Sequence, residues 1–243
     1  MKKTKAYSWV PTLYFAEALP YVAVMSIVTI MYKTLGLSNA ELAFYTSWFY
    51  LPWVIKPFWS PFVDALKTKR WWILAMQILI GAGFAGVAFT ISTSFWLQAS
   101  IAFFWLIAFS SATHDIAADG FYMLALEPGD QSLFVGIRST FYRLSSIFGQ
   151  GVLVVIAGIL ERRTGDIPQA WSTTLLVSAV IFAAVTLWHT FRLPKPAADS
   201  SRLGSGKAEA KQIFIEFGRT FVTFFRKKHV WIAMAFMLLY RLP

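Results

Sequence analysis

Cysteine is absent from all 243 residues, which excludes disulfide cross-links and cysteine-ligated metals and leaves no redox clue to the compartment. Histidine is nearly absent too. His114, His189 and His229 stand far apart, a poor basis for a histidine metal site, so no metal and no cofactor is expected. Charge is scarce, with Asp, Glu, Lys and Arg forming 14% of the chain against about 25% in a soluble domain. Apolar residues fill the difference, at 57% hydrophobic and 18% aromatic. The expected fold class is an all-α polytopic membrane protein.

A membrane helix takes about 20 mostly apolar residues, because each adds about 1.5 Å across a hydrocarbon layer about 30 Å thick. Six segments meet this requirement: 9–32, 41–62, 71–91, 95–125, 132–160 and 171–191. A seventh begins near Val230 and reaches about half a span by Pro243, as expected of a fragment or of a half-protein. The expected organisation is a six-span bundle over 1–191, a linker with an interfacial helix over 192–229, and the start of a seventh span over 230–243. Lys2, Lys3 and Lys5 precede an apolar run as in a signal peptide. That run is too long, is interrupted by Pro11, Glu17 and Pro20, and lacks a small-residue cleavage site, so an uncleaved first span is expected.

The net charge of +10 is distributed by topology. Lys2/Lys3/Lys5, Lys67/Lys69/Arg70 and the stretch 192–228 fall on one side of alternating spans, while the other side holds only Lys33, Arg162 and Arg163. The positive-inside rule then makes the N terminus cytoplasmic, and nucleic-acid binding has little support. Within 192–229 a Pro/Gly/Ser-containing linker leads to Phe214, Phe217, Phe221 and Phe225 at helical spacing, with Arg219 and Arg226–Lys228 nearby. Two readings stand: a helix lying on the lipid surface, or a linker helix packed on the bundle.

Ionisable residues inside the spans are unevenly placed. Glu17 lies in the first, Lys56 in the second, Asp115 and Asp119 in the fourth, and Arg138 and Arg143 in the fifth; the third and sixth have none, apart from His189 at the end of the sixth. A charge in the bilayer is costly unless it faces a cavity or a partner, so four spans are expected to surround something polar and two to face lipid. Asp115 and Asp119, four apart, share a helical face with Ser111 and Tyr122. One carboxyl carries a proton during transport, or the pair forms an Asp–Arg lock between the fourth and fifth spans. Glu17, three residues before Pro20, binds a proton or substrate, or caps backbone disturbed by the proline. Lys56 binds an anionic group or snorkels to the interface. Trp48, Tyr50 and Trp53 offer flat surfaces for a sugar, but fit an interfacial aromatic belt better. Gly81, Gly83 and Gly86, and Ser145, Gly149 and Gly151, read as close-packing surfaces.

The start of the chain, a basic run, a tryptophan and an apolar stretch ending "YFAEALP", is echoed by Arg226–Lys228, Trp231 and "MLLYRLP". A first span echoed by a seventh is the pattern of parallel repeats in a two-bundle transporter. The whole arrangement resembles the N-terminal six-helix bundle of the major facilitator superfamily fold, plus the start of a seventh span. "SPFVDALKTKR" is similar to that superfamily's signature between spans two and three, through Asp64, Lys67, Lys69 and Arg70, with Ser60 in place of glycine.

More narrowly, "ATHDIAADGFYMLALEP" followed by "FYRLSSIFGQG" resembles the AmpG-type muropeptide permease family, through Asp115, Ile116, Asp119, Phe121, Glu127, Pro128, Tyr142, Arg143 and Leu144. Gly120 stands where alanine is usual and Tyr122 where a basic residue is common. The resemblance implies proton-coupled import of anhydro-muropeptides through the bacterial inner membrane, with a further C-terminal six-span half as partner. Related permeases handle other solutes, including an acetyl-CoA carrier branch. The candidates for proton coupling are Asp115, Asp119 and Glu17. Those for an anionic sugar-peptide substrate are Arg143, Arg138, Lys56, Tyr142 and Tyr122, and Asp64, Lys67, Lys69 and Arg70 are candidates for a conformational gate. Two other classes fit parts of the sequence less well: a non-transporting sensor or scaffold, and, least, a membrane acyltransferase built on the His114/Asp119 spacing.

Overall fold

The computed structural model describes residues 6–200, 215, 218–219, 222–223 and 225–241, and among these every regular element is helical. The basic run at Lys2, Lys3 and Lys5, the aromatic positions Phe214, Phe217 and Phe221, and the Leu242-Pro243 end of the internal echo lie outside the described residues.

Five helices are long and apolar enough to cross a membrane: Val10–Thr34, Lys69–Thr90, Trp96–Ala125, Pro128–Thr164 and Ile167–Arg192. They coincide with the first, third, fourth, fifth and sixth predicted segments and are called spans one, three, four, five and six. A further helix, Val230–Arg241, occupies the start of the seventh.

The second predicted segment is not a continuous helix. Residues 39–66 form five short pieces: Asn39–Thr46, a 3-10 turn Ser47–Tyr50, Leu51–Ile55, a 3-10 turn Lys56–Phe58, and Ser60–Leu66. Pro52, Pro57 and Pro61 each stand in the first turn of a new piece. A proline is tolerated there because its missing N–H has no partner to lose, whereas the residue before it is pushed away from helical geometry. We call this segment broken span two. A reciprocal capping box between Ser38 and Glu41 starts it, with the Ser38 Oγ accepting from Glu41 N.

Spans three and four run side by side, span three also packs along span six, and span one packs along span five. Glycine permits the closest approaches. A Cβ at Gly83 would lie 2.5 Å from Ile107 Cγ1, one at Gly86 2.4 Å from Phe103 Cε1, and one at Gly149 2.8 Å from Val22 Cγ1. Gly151 meets nothing within 4 Å and is not a packing position. Spans one and five also share a hydrogen bond, from Ser145 Oγ to Phe15 O at 2.7 Å.

Both of these spans contain a π turn, Ala23–Ile27 in span one and Phe148–Leu153 in span five, and the two turns touch. Two apolar clusters flank the middle of the bundle. One includes Ile27, Met31, Phe84, Phe104, Leu175 and Phe182. The other gathers Trp9, Leu13, Phe121, Phe134 and Leu193 near the ends of the spans that carry the basic loops.

Candidate functional site

Between spans one, two, four and five lies a group of charged side chains. Span four supplies two carboxylates one turn apart, and each meets a cation from a different neighbour. Lys56 Nζ, from the 3-10 turn of broken span two, donates to Asp115 Oδ2. The Arg138 guanidinium, from span five, pairs with Asp119 Oδ1 at 2.8 Å. Tyr14 of span one donates its hydroxyl to the same Asp119 oxygen at 3.1 Å.

Arg138 is held by more than its carboxylate. Its guanidinium lies 4.4 Å from the Tyr14 ring centroid and 5.4 Å from that of Tyr122, and the two rings meet edge to face at 5.8 Å. Tyr122 is fixed in turn: its hydroxyl donates to Gln131 O, and Gln131 Nε2 donates to Leu126 O at 2.9 Å. The aromatic box therefore ties span four to span five across the short connection between them.

Glu17 is buried against this group, with Asp115, Asp119 and Arg138 as its charged neighbours. Its Oε2 makes no hydrogen bond. Three carboxyl groups thus share two cations.

The remaining predicted substrate residues separate. Tyr142 is half-buried beside Glu17, whereas Arg143 is exposed and makes no ion pair among the described residues. Arg138 and Arg143, read together in the sequence, serve different surroundings.

The four predicted gate residues gather at the loop between broken span two and span three. Lys69 Nζ donates to Asp64, and its stem lies against span four, where a Cβ on Gly120 would come within 2.8 Å of Lys69 Cε. Arg70 reaches across to the end of span six, donating from Nη2 to Thr190 O at 2.6 Å and from Nε to Leu193 O at 3.3 Å. Asp199 closes the clasp by accepting from the backbone N–H groups of Lys69 and Arg70 at 2.6 and 3.0 Å. Lys67 is exposed.

A second polar chain was not foreseen. Thr12 donates to Trp9 O at 3.1 Å, so its oxygen accepts from His189 Nε2 at 2.9 Å. His189 Nδ1 is then an acceptor for Gln77 Nε2 at 2.9 Å, and the other N–H of that amide reaches His114 Nε2 at 3.0 Å. This pattern leaves the His114 proton on Nδ1, which has no partner. Gln77, His114 and His189 are all fully buried. The amide in the middle interrupts proton hopping, and the chain tethers spans one, three, four and six.

Asp119 bonds Tyr14 and Arg138 rather than His114, so the histidine–aspartate pair that acyl transfer needs is not formed. Among the described residues no three His, Asp or Glu side chains group as metal ligands. Two signals for the missed residues were present in the sequence: Tyr14 lies one turn from Glu17, and Gln77 is the lone amide in the apolar run from 71 to 89.

Comparison with known proteins agrees with this architecture. A family model of the Major Facilitator Superfamily matches residues 12–241. An uncharacterised protein of Haemophilus influenzae is 27% identical over 194 residues, covering 77% of this chain and 42% of its own. A putative transporter AmpG 4 of Rickettsia felis is 26% identical over 189 residues, covering 71% of this chain and 41% of its own. The chain spans less than half the length of either relative.

Proposed function

This chain belongs to the Major Facilitator Superfamily, and from that premise we propose that it forms part of a proton-coupled secondary transporter that imports anhydro-muropeptides or related amino-sugar peptides by alternating access. Membership makes it an integral membrane protein of a transporter family. The finer reading rests on one observation: three carboxyls, Glu17, Asp115 and Asp119, share two cations, Lys56 and Arg138, where four spans meet.

Lys56 neutralises Asp115 and Arg138 neutralises Asp119, which leaves Glu17 as the carboxyl whose charge is uncompensated. Glu17 is therefore the proton site in this reading, and the two aspartates are its electrostatic setting. Protonation of Glu17 removes the repulsion it exerts on Asp115 and Asp119, and release of the proton restores it. This bias on the packing of span one against span four is the coupling device.

The muropeptide assignment is supported by the Rickettsia relative's name and by the span-four and span-five motifs that resemble the same family. Placement in a bacterial inner membrane with a cytoplasmic N terminus is supported by the one-sided basic residues. In the same reading residues 1–191 form the first bundle, 192–229 the linker, and 230–243 the start of a second bundle. The loop clasp of Asp64, Lys69, Arg70 and Asp199 holds the gate on the basic side.

The test is uptake of labelled anhydro-muropeptide by the natural full-length protein, in cells lacking their own permease, under an imposed proton gradient. Accumulation that collapses when a protonophore dissipates the gradient is the expected result. A well-inserted protein that accumulates none overturns the substrate assignment.

A further inference from the structure

Spans three and six meet along an open groove of about 580 Å³. Gly81, Ala82, Ala85, Ala179 and Ala183 line it, while Ile78, Val180 and Leu187 beside them are large and exposed. Small side chains among large ones leave a furrow rather than a flat face. Its base is tight, because a Cβ on Gly81 would lie 3.3 Å from Phe182 Cβ, so the two backbones nearly close the furrow from behind.

The furrow covers only part of the membrane. On span six it runs from Leu176 to Thr190, about 21 Å at a rise of about 1.5 Å per residue. Half of the hydrocarbon layer is about 15 Å, so this length takes an acyl chain of one leaflet and reaches the headgroup level. A second membrane-crossing helix would need a face along the full layer of about 30 Å.

The two ends differ in chemistry. Ala85 and Leu176 make the deep end apolar. The end next to the basic loops carries Thr186 and Thr190, whose hydroxyls donate to Phe182 O and Thr186 O at 2.6 and 2.8 Å and need no further acceptor. Arg70, two turns before Ile78 on the same face of span three, reaches this end through its bond to Thr190 O at 2.6 Å. Its Nη1 bonds nothing among the described residues. Lys67, Arg192 and Lys195 are exposed at the same ends of the two helices, and among the described residues none of the four cations is in an ion pair. The acids nearby are engaged, Asp64 by Lys69 and Asp199 by the backbone N–H groups of Lys69 and Arg70. Positive charge is therefore in excess where the furrow meets the membrane surface.

We propose that the furrow seats one anionic phospholipid of the leaflet on the basic side, with an acyl chain along Gly81, Ala85 and Ala183 and the headgroup phosphate on Arg70. Lipid tails gain no hydrophobic energy by leaving other tails, so the furrow contributes fit and the cations contribute selectivity. Basic pockets between membrane helices bind anionic headgroups in this way. The site goes beyond the transport reading and holds whatever solute is carried.

The test is native mass spectrometry of the natural full-length protein, purified in detergent and supplied with phosphatidylglycerol or phosphatidylcholine of identical chains. One phosphatidylglycerol per protein should be retained, with a preference of about fivefold over phosphatidylcholine, the worth of one arginine at a lipid surface. Arg70→Gln should remove that preference. Because Arg70 also clasps span six, Ala183→Phe supplies an independent arm: it fills the furrow without touching a charge and should lower retention of both lipids. Val177→Phe, on an exposed part of span six outside the furrow, should lower neither. Equal retention of the two lipids by the parent, or equal losses from Ala183→Phe and Val177→Phe, overturns the proposal. Displacement of the lipid by soluble glycerol phosphate would reduce the site to a surface phosphate site. A lipid-free dimer that Ala183→Phe dissociates would give the furrow to a second copy, and either of these results also overturns the proposal.

Discussion

Spans three and six, compared with spans one and five, show how two helix pairs of similar length and packing serve different solvents. Both pairs lie flush along each other, and a glycine stands at a close approach in each, Gly81 beside Phe182 and Gly149 beside Val22. Three and six bury one amide and one histidine, Gln77 and His189, inside the bundle and turn isoleucine, leucine, phenylalanine and valine outward. One and five bury a carboxyl, hold a half-buried guanidinium against two tyrosine rings, and turn serine, arginine and glutamine outward. Exposure alone therefore says little in a membrane protein. The chemistry of the exposed face names its solvent.

The largest effect should come from exchanging those solvents. Val180→Arg puts a charge on the outward face of span six, where insertion of an arginine near the centre of a span costs about 2.5–3.5 kcal/mol, and membrane levels should fall steeply. Ser139→Arg puts the same charge on the face of span five where Ser132, Arg143 and Gln150 are exposed, and should leave membrane levels near those of the parent. Quantitative blotting of washed membranes compares the two, and equal losses would erase the distinction between the faces.

A smaller effect is expected within the charged group. Asp119→Asn or Arg138→Gln alone leaves the other partner without its counter-charge, and because both side chains are partly exposed the cost is about 1 kcal/mol. The double change should recover part of that cost, giving a coupling of about 1 kcal/mol in thermal-unfolding measurements on detergent-solubilised protein. Strict additivity would mean that the pair contributes nothing to holding spans four and five together.

Much of this arrangement was legible in the sequence. Uninterrupted apolar runs located five spans, and the separation of charged from uncharged spans followed from the cost of bare charge in lipid. Broken span two differs from the continuous span its composition predicts, because hydrophobicity runs on through Pro52, Pro57 and Pro61 while each proline starts a new piece of helix. Partners were the harder part. Helical spacing puts Asp115 and Asp119 on one face, yet it carries no information about which neighbouring span supplies each cation, and Lys56 and Arg138 approach from opposite directions in the chain. The Thr12–His189–Gln77–His114 chain joins residues up to 177 positions apart, and no local pattern marks it.

On the proposed reading Glu17 carries the coupled proton, and Asp115 and Asp119, paired with Lys56 and Arg138, set its environment. The most direct measurement is proton flux on addition of substrate, followed with a pH-sensitive dye in proteoliposomes containing the natural full-length protein or its Glu17→Gln variant. The account predicts that the variant still exchanges substrate down a concentration gradient but takes up no protons with it. Undiminished proton uptake by Glu17→Gln would contradict it and return the coupling role to Asp115 or Asp119.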